Sequence, residues 1–182
     1  MGLKREGSIL TEKEMLMDIK PLTTRAIVIK DVPRDRIELL VIKKIGKDGH
    51  ITYTFPGGHL QEGEYSKYGL AREVEEETGV SASFIRNNYP IEVFRHYKID
   101  KKQPERGNGV MAWFVVTTSD TPKPRESYFE HDKWVIPTWI TLADFLKIKE
   151  NDIKPDFIKP YILEQTGGRT YESKWLEEVY TC

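Results

Sequence analysis

A chain of 182 residues has the size of one domain with a short appendage, long enough to bury a proper core. Its 28 basic residues nearly balance its 29 acidic ones, which argues against a general nucleic-acid binder or a polybasic membrane anchor. The single cysteine, Cys182, is the last residue, which excludes an intrachain disulfide framework and favours a reducing, cytoplasmic setting.

The N-terminal stretch mixes Lys, Glu and Asp among its apolar positions, unlike a signal peptide, and apolar runs such as Val110 to Val116 are too short to span a bilayer. Residues 1–21 form a polar lead-in, with a short helix expected from Glu12 to Ile19 and stopped by Pro21. Arg25 to Lys30 is predicted as a buried strand, followed by a turn around Pro33. Ile37 to Lys44 is a second strand, Gly46 to Gly49 a hairpin-like loop and Ile51 to Phe55 a third strand. That strand delivers the chain to Pro56-Gly57-Gly58 and then to a helix carrying Glu73, Glu76 and Glu77.

An advance of about 100° per residue puts Glu76 roughly 60° to one side of Glu73 and Glu77 roughly 40° to the other. The three carboxylates therefore share one arc, while Leu70, Ala71 and Val74 on the adjoining flank anchor the helix to a core. Gly69, in mid-helix, costs about 1 kcal/mol against alanine, and so asks for a close neighbour: a ligand or another backbone. Glu64 lies near the helix start, where a carboxylate suits exposed N–H groups and the helix dipole, and its expected role is to orient the loop or a ligand. Arg72 reaches Glu76 at i,i+4, and Gly79 is expected to cap the C-terminus. On its own, a glutamate run is a solvated acidic face. Carboxylates crowded in this way otherwise call for a hard cation such as Mg²⁺ or Mn²⁺, which commonly bridges to phosphate oxygens.

Beyond the helix, Val80 to Ile85 and Ile91 to Ile99 are predicted strands, and 101–109 a polar loop. Gly109 to Thr118 is an apolar central strand, and Ser119 to Lys133 a long connection of the kind that often carries function. Trp134 to Ile140 is the last expected strand, and Thr141 is placed to cap a short helix ending at Ile148. The domain is expected to span 22–150, with 151–182 as a helical appendage: a helix from Pro155 to Gln165 interrupted at Pro160, a break at Gly167-Gly168, and a helix from Tyr171 to Tyr180. Its aromatic side chains would pack on the domain or on a second subunit, giving a possible homodimer.

The spacing in the middle of the chain carries a resemblance. Gly58 is followed by five residues and Glu64, then by seven and Arg72-Glu73; Val74, Glu76-Glu77, Gly79 and Val80 complete the pattern. This resembles the Nudix box, Gly-x5-Glu-x7-Arg-Glu-U-x-Glu-Glu-x-Gly-U with U a bulky aliphatic residue, and every fixed position matches. The resemblance implies an α/β Nudix fold, an α/β/α sandwich around a mixed sheet. It also implies Mg²⁺-dependent hydrolysis of a nucleoside diphosphate linked to another group, with no specific nucleic acid and no membrane as partner. Glu73, Glu76 and Glu77 would hold the metal with the carbonyl of Gly58, Arg72 would assist, and Glu73 or Glu76 or an acid outside the box would be the base. The resemblance also implies a further glutamate, shortly before a Trp-containing strand, that ligates metal or acts as base: Glu130, with Glu126 second; an ordinary surface residue is the competing account of each.

Arg25, Gly57, Gly58, His59 and Tyr97 are candidates for holding substrate. Tyr97 stands near where relatives acting on diadenosine polyphosphates carry a base-stacking tyrosine. The markers of ADP-ribose and NADH hydrolases are not found. Two other classes compete: a nucleotide sensor that binds without turnover, which usually has an eroded box, and an isopentenyl-diphosphate-type isomerase, whose active-site cysteine Cys182 is badly placed to supply.

Overall fold

The computed structural model describes residues 22–32, 36–87, 90–98, 109–118, 123–155 and 158–165. The expected helices at 12–19 and 171–180, the Gly167-Gly168 break, most of the 101–109 loop and Cys182 lie outside these residues. Eight strands form one mixed sheet: β1 (Thr23–Val32), β2 (Arg36–Ile45), β3 (Ile51–Thr54), β4 (Ile91–Lys98), β5 (Gly109–Thr118), β6 (Tyr128–Glu130), β7 (Lys133–Thr141) and β8 (Ile153–Lys154). β1 runs parallel to β5, and β3 to β8; the other pairs are antiparallel. β2 is the branch point of the sheet. One edge carries β7, while the other is shared by β1 at its start and β3 at its end. The chain leaving β3 therefore turns beside the first residues of β1.

The period of two along the strands sorts side chains to the two faces. Ala26, Val28 and Leu40 point to one face and pack under Leu70, Ala71 and Val74 of helix α1 (Ser66–Thr78). Ile27, Ile29, Leu39 and Val41 point to the other, against Phe145 and Leu146 of α3 (Leu142–Lys147) and Ile158 and Ile162 of α4 (Ile158–Gln165). The result is the three-layered α/β arrangement the sequence predicts, with a core on each side of the sheet. No helix among the described residues is long and apolar enough to cross a membrane.

Three local expectations are corrected. Residues 83–87 form a short helix, α2 (Ser83–Asn87), in place of the strand expected at Val80 to Ile85. Phe84 and Ile85 are buried consecutively, which an alternating strand facing one core does not allow. The connection expected from 119 to 133 holds β6, joined to β7 through a tight turn at His131 and Asp132, both with positive φ. Pro160 does not interrupt α4; it sits in the helix's first turn, where no intrahelical N–H partner is needed. Residues 153–162, assigned at sequence level to the appendage, add β8 to the sheet and put Ile153, Ile158 and Ile162 into the core. Thr141 caps α3, its hydroxyl accepting from the amide of Asp144 at 3.1 Å.

Glu75, the member of the glutamate run that no fixed box position claims, ties α1 to α2. Its carboxylate accepts from the amide of Ala82 at 2.9 Å and pairs with Arg86. Arg86 holds the Glu75 carboxyl below its ordinary range. A depressed folded-state pKa means stability present above the unfolded value of 4.5 and lost as pH falls through the folded value. Because the pair is partly exposed, Glu75→Gln is expected to cost at most about 1 kcal/mol at pH 7. Urea melts at pH 7 and in strong acid test this: the difference between the two proteins should vanish at the lower pH.

Candidate active site

Phe55, the residue after β3, is fully buried and meets Trp113 and Phe145 edge-on, with ring centroids 6.0 and 5.7 Å apart. That anchor fixes the start of the Pro56-Gly57-Gly58 turn. Antiparallel contacts with β1 fix the remainder: Ala26 donates to the carbonyl of Pro56 at 2.8 Å, Thr24 to that of Gly58 at 2.9 Å, and Leu60 to that of Leu22 at 2.9 Å. Gly57 has φ 140°, and a Cβ there would lie 2.8 Å from Cα of Arg25 and against the carbonyl oxygen of Thr24. No L side chain fits that place.

The turn presses on the glutamate side of α1. The amide of Gly57 donates to Glu77 Oε2 at 2.8 Å. The Glu73 carboxylate lies over Gly58, where a Cβ would come within 2.7 Å of Oε1. Glu73 and Glu77, one helical turn apart, are thus both held against the same two glycines. Burial pushes the Glu77 carboxyl up; Arg25, its guanidinium 3.8 Å away, and the Gly57 amide oppose that rise. Arg25 also donates to the carbonyl of Phe55 at 2.7 Å, so it spans the turn and the helix.

Arg72 organises the remaining carboxylates. Nε and Nη2 form a fork on Glu64 at 3.0 and 2.9 Å, Nη1 donates to Glu73 at 2.8 Å and Glu76 at 3.1 Å, and Nη2 donates to the carbonyl of His59 at 3.0 Å. All five guanidinium N–H donors are thereby used. Glu64 and then Glu73 raise the guanidinium pKa, and Arg72 in return holds the Glu64 carboxyl low. Glu64 therefore orients the loop, as the partner of Arg72 and of the Gln61 amide at 2.9 Å; the N-cap position belongs to Tyr65. Gly69 owes its place to the same loop, since a Cβ there would strike Leu60 and come 2.8 Å from Glu64.

The structure brings together Arg25, Gly57, Gly58, Arg72, Glu73, Glu76 and Glu77 from the expected set. Among the described residues no three acidic or histidine side chains converge as a ready-made cation cage. Glu73 and Glu76 turn to Arg72, while Glu77 turns to Gly57. The side chain of His59 is exposed, with its carbonyl engaged by Arg72. Glu130 is an exposed residue of the β6–β7 hairpin whose charge contact is with His131, at 3.9 Å. Glu126 is exposed as well. Tyr97 pairs through its backbone with Val110, and its side chain lies outside the described atoms. Arg125 and Tyr128, which sequence reasoning missed, reach the C-terminal end of α1. Arg125 donates to the carbonyl of Glu76 at 2.8 Å, and Tyr128 to that of Glu77 at 3.3 Å.

The chain resembles known proteins in sequence and in fold. The family model described as NUDIX domain matches residues 21–161. A putative mutator protein, MutT4 of Mycobacterium tuberculosis (strain CDC 1551 / Oshkosh), is 34% identical over 55 residues, 30% of this chain and only 22% of that protein's length. Among solved structures, the NUDIX domain of Shewanella oneidensis NrtR, crystallised with ADP ribose, superposes with a TM-score of 0.51 and 18% identity, covering 77% of this chain and 89% of that one. A MutT/nudix family protein from Enterococcus faecalis gives a TM-score of 0.46 at 19% identity, covering 75% of this chain and 47% of that one.

Proposed function

This chain belongs to the NUDIX family, and from that premise we propose that it is a metal-dependent pyrophosphohydrolase. Its substrate is a nucleoside diphosphate carrying a further group: a nucleoside triphosphate, ADP-ribose, a dinucleoside polyphosphate or a related compound. The observation that carries this reading is the seating of Glu73 and Glu77 against the Gly57-Gly58 turn, with Glu76 one position away on the same helix.

The donor set suits a divalent cation. Glu64, Glu73, Glu76 and Glu77 face two guanidiniums, Arg25 and Arg72, so negative charge is in excess. Burial works against the charge on Glu77, which a cation would relieve. Hard oxygen donors with surplus charge favour Mg²⁺, with Mn²⁺ as a substitute. Glu73, Glu76, Glu77 and the carbonyl of Gly58 would hold it; that carbonyl accepts one hydrogen bond from Thr24 and keeps a second lone pair. A bound cation supplies positive charge to the diphosphate oxygens and to the departing phosphate.

The chain's own groups do the rest. Arg72 fixes Glu73 through Oε1, while Oε2 accepts no hydrogen bond among the described residues. Glu73 is therefore the base we assign: it takes a proton from water as the water oxygen bonds to phosphorus and the bridging P–O bond breaks. The bridging oxygen leaves with the second phosphate. Gly57, Gly58, His59 and Arg25 border the same turn and orient the phosphates, with Tyr97 assigned to the remainder of the substrate. The same reading places the protein in the reducing cytoplasm, acting on small-molecule nucleotides.

The test is a panel of nucleoside triphosphates, ADP-ribose, NADH, diadenosine polyphosphates and nucleotide sugars, incubated with Mg²⁺ in ¹⁸O-labelled water. One strongly preferred compound yielding a phosphate product with one ¹⁸O is expected. Silence across the panel, with tight nucleotide binding by calorimetry, would replace the hydrolase by a sensor that binds without turnover.

A further inference from the structure

The last turn of α1 carries Glu76 and Glu77, and helix ends leave their final four carbonyls without intrahelical partners. Here all four are satisfied, three of them by a single distant segment. The carbonyl of Glu75 accepts from the amide of Gly79 at 2.8 Å, which is the local C-cap. The carbonyl of Glu76 accepts from Arg125 Nη1 at 2.8 Å, that of Glu77 from the Tyr128 hydroxyl at 3.3 Å, and that of Thr78 from the Arg125 amide at 2.8 Å. The Arg125 guanidinium carbon stands 4.2 Å from the centre of the Tyr128 ring, so each member of the clamp steadies the other. Arg125 also brings positive charge to the negative end of the helix dipole.

Gly79 fits the same account. Its φ of 68° suits a C-cap glycine, and a Cβ there would fall 2.6 Å from Cβ of Arg125 and 3.2 Å from its amide nitrogen. The glycine that closes the box thus makes room for the chain crossing above it.

We propose that Arg125 and Tyr128 are positioning residues: they lock the last turn of α1 so that the Glu76 and Glu77 carboxylates are held ready for a divalent cation. A capping role alone would stabilise the helix and leave cation binding unchanged. The positioning role links the 123–130 segment to the site, because the two carbonyls gripped by side chains belong to the same residues whose carboxylates face the turn and Arg72. This inference rests on the metal-dependent reading given above.

The experiment compares wild type, Arg125→Ala, Arg125→Lys, Tyr128→Phe and Glu77→Gln by three readouts: hydrogen exchange of the 74–80 amides, Mn²⁺ affinity by electron paramagnetic resonance without substrate, and steady-state kinetics on the preferred compound. Arg125→Ala and Tyr128→Phe should each speed exchange in 74–80, weaken Mn²⁺ binding by about tenfold and lower kcat by about tenfold, as supporting partners of metal ligands do, with KM little changed. Arg125→Lys, which keeps the cation and the amide, should recover part of the loss. Faster exchange with unchanged Mn²⁺ affinity and kcat would overturn the proposal and leave a simple cap. Unchanged exchange in both variants would overturn it too. A wild-type protein that binds no Mn²⁺ and turns over nothing would instead bring down the metal-dependent reading, and this inference with it.

Discussion

Glu77→Gln is expected to lower kcat by at least about three orders of magnitude, roughly 4 kcal/mol of transition-state stabilisation at 1.36 kcal/mol per tenfold, while the protein stays folded. The side chain receives the Gly57 amide at 2.8 Å, and the carbonyl of a glutamine accepts that hydrogen bond equally well. The turn is therefore kept. What disappears is a charge that is already costly to hold in place, since burial pushes the carboxyl up. Glu73→Gln should act in the same way, because a glutamine oxygen still accepts from Arg72 but removes the base. Steady-state kinetics paired with thermal melts make the check; either variant working at near wild-type rate would remove that glutamate from the reaction.

Arg72→Ala is expected to damage both fold and chemistry. Five donated hydrogen bonds vanish together, and Glu64, Glu73 and Glu76 are left facing one another without their shared cation. Stripping one partner from a buried ion-pair network costs about 3–5 kcal/mol. With the side chains here 14–23% exposed for Arg72, Glu64 and Glu73, and Glu76 largely in solvent, about 2–3 kcal/mol is the better expectation. In a domain of this size that lowers Tm by roughly 4–12 °C. Arg72→Lys should recover little of it, because an ammonium does not reproduce the planar fork on Glu64. A melt of Arg72→Ala superposable on wild type would show that the network holds nothing together.

What could be read from sequence follows the range of the forces involved. The apolar strands around Arg25–Lys30 and Ile37–Lys44, the flank of Leu70, Ala71 and Val74, the Thr141 cap and the Gly79 C-cap are local patterns, and the structure has each of them where the residues placed them. The box positions were legible because their spacing is fixed along one turn and one helix. Arg125 and Tyr128 act across separations of 49 and 51 residues, and they act on backbone carbonyls, which leave no trace in side-chain pattern. The pairing of β8 with β3 is of the same kind: two residues find a strand about a hundred positions earlier. At α2 the pattern misled, because Val80, Ala82 and Phe84 alternate as a strand would, while Glu75 reaches across to the Ala82 amide at the start of that helix. The Gly69 expectation was correct in asking for a close neighbour and incomplete in its choice; Leu60 and Glu64 fill that space.

The central claim is that Glu77 and its neighbours make this chain a cation-dependent hydrolase of diphosphate linkages. The most direct measurement is the rate of phosphate-product release from the preferred compound, for wild type and Glu77→Gln, across a Mg²⁺ titration that begins in excess chelator. The account predicts a wild-type rate that is absent in chelator, rises to saturation with Mg²⁺, and stays near baseline at every Mg²⁺ concentration in the variant. A wild-type rate indifferent to chelator, or a Glu77→Gln curve that overlays the wild type, would contradict it.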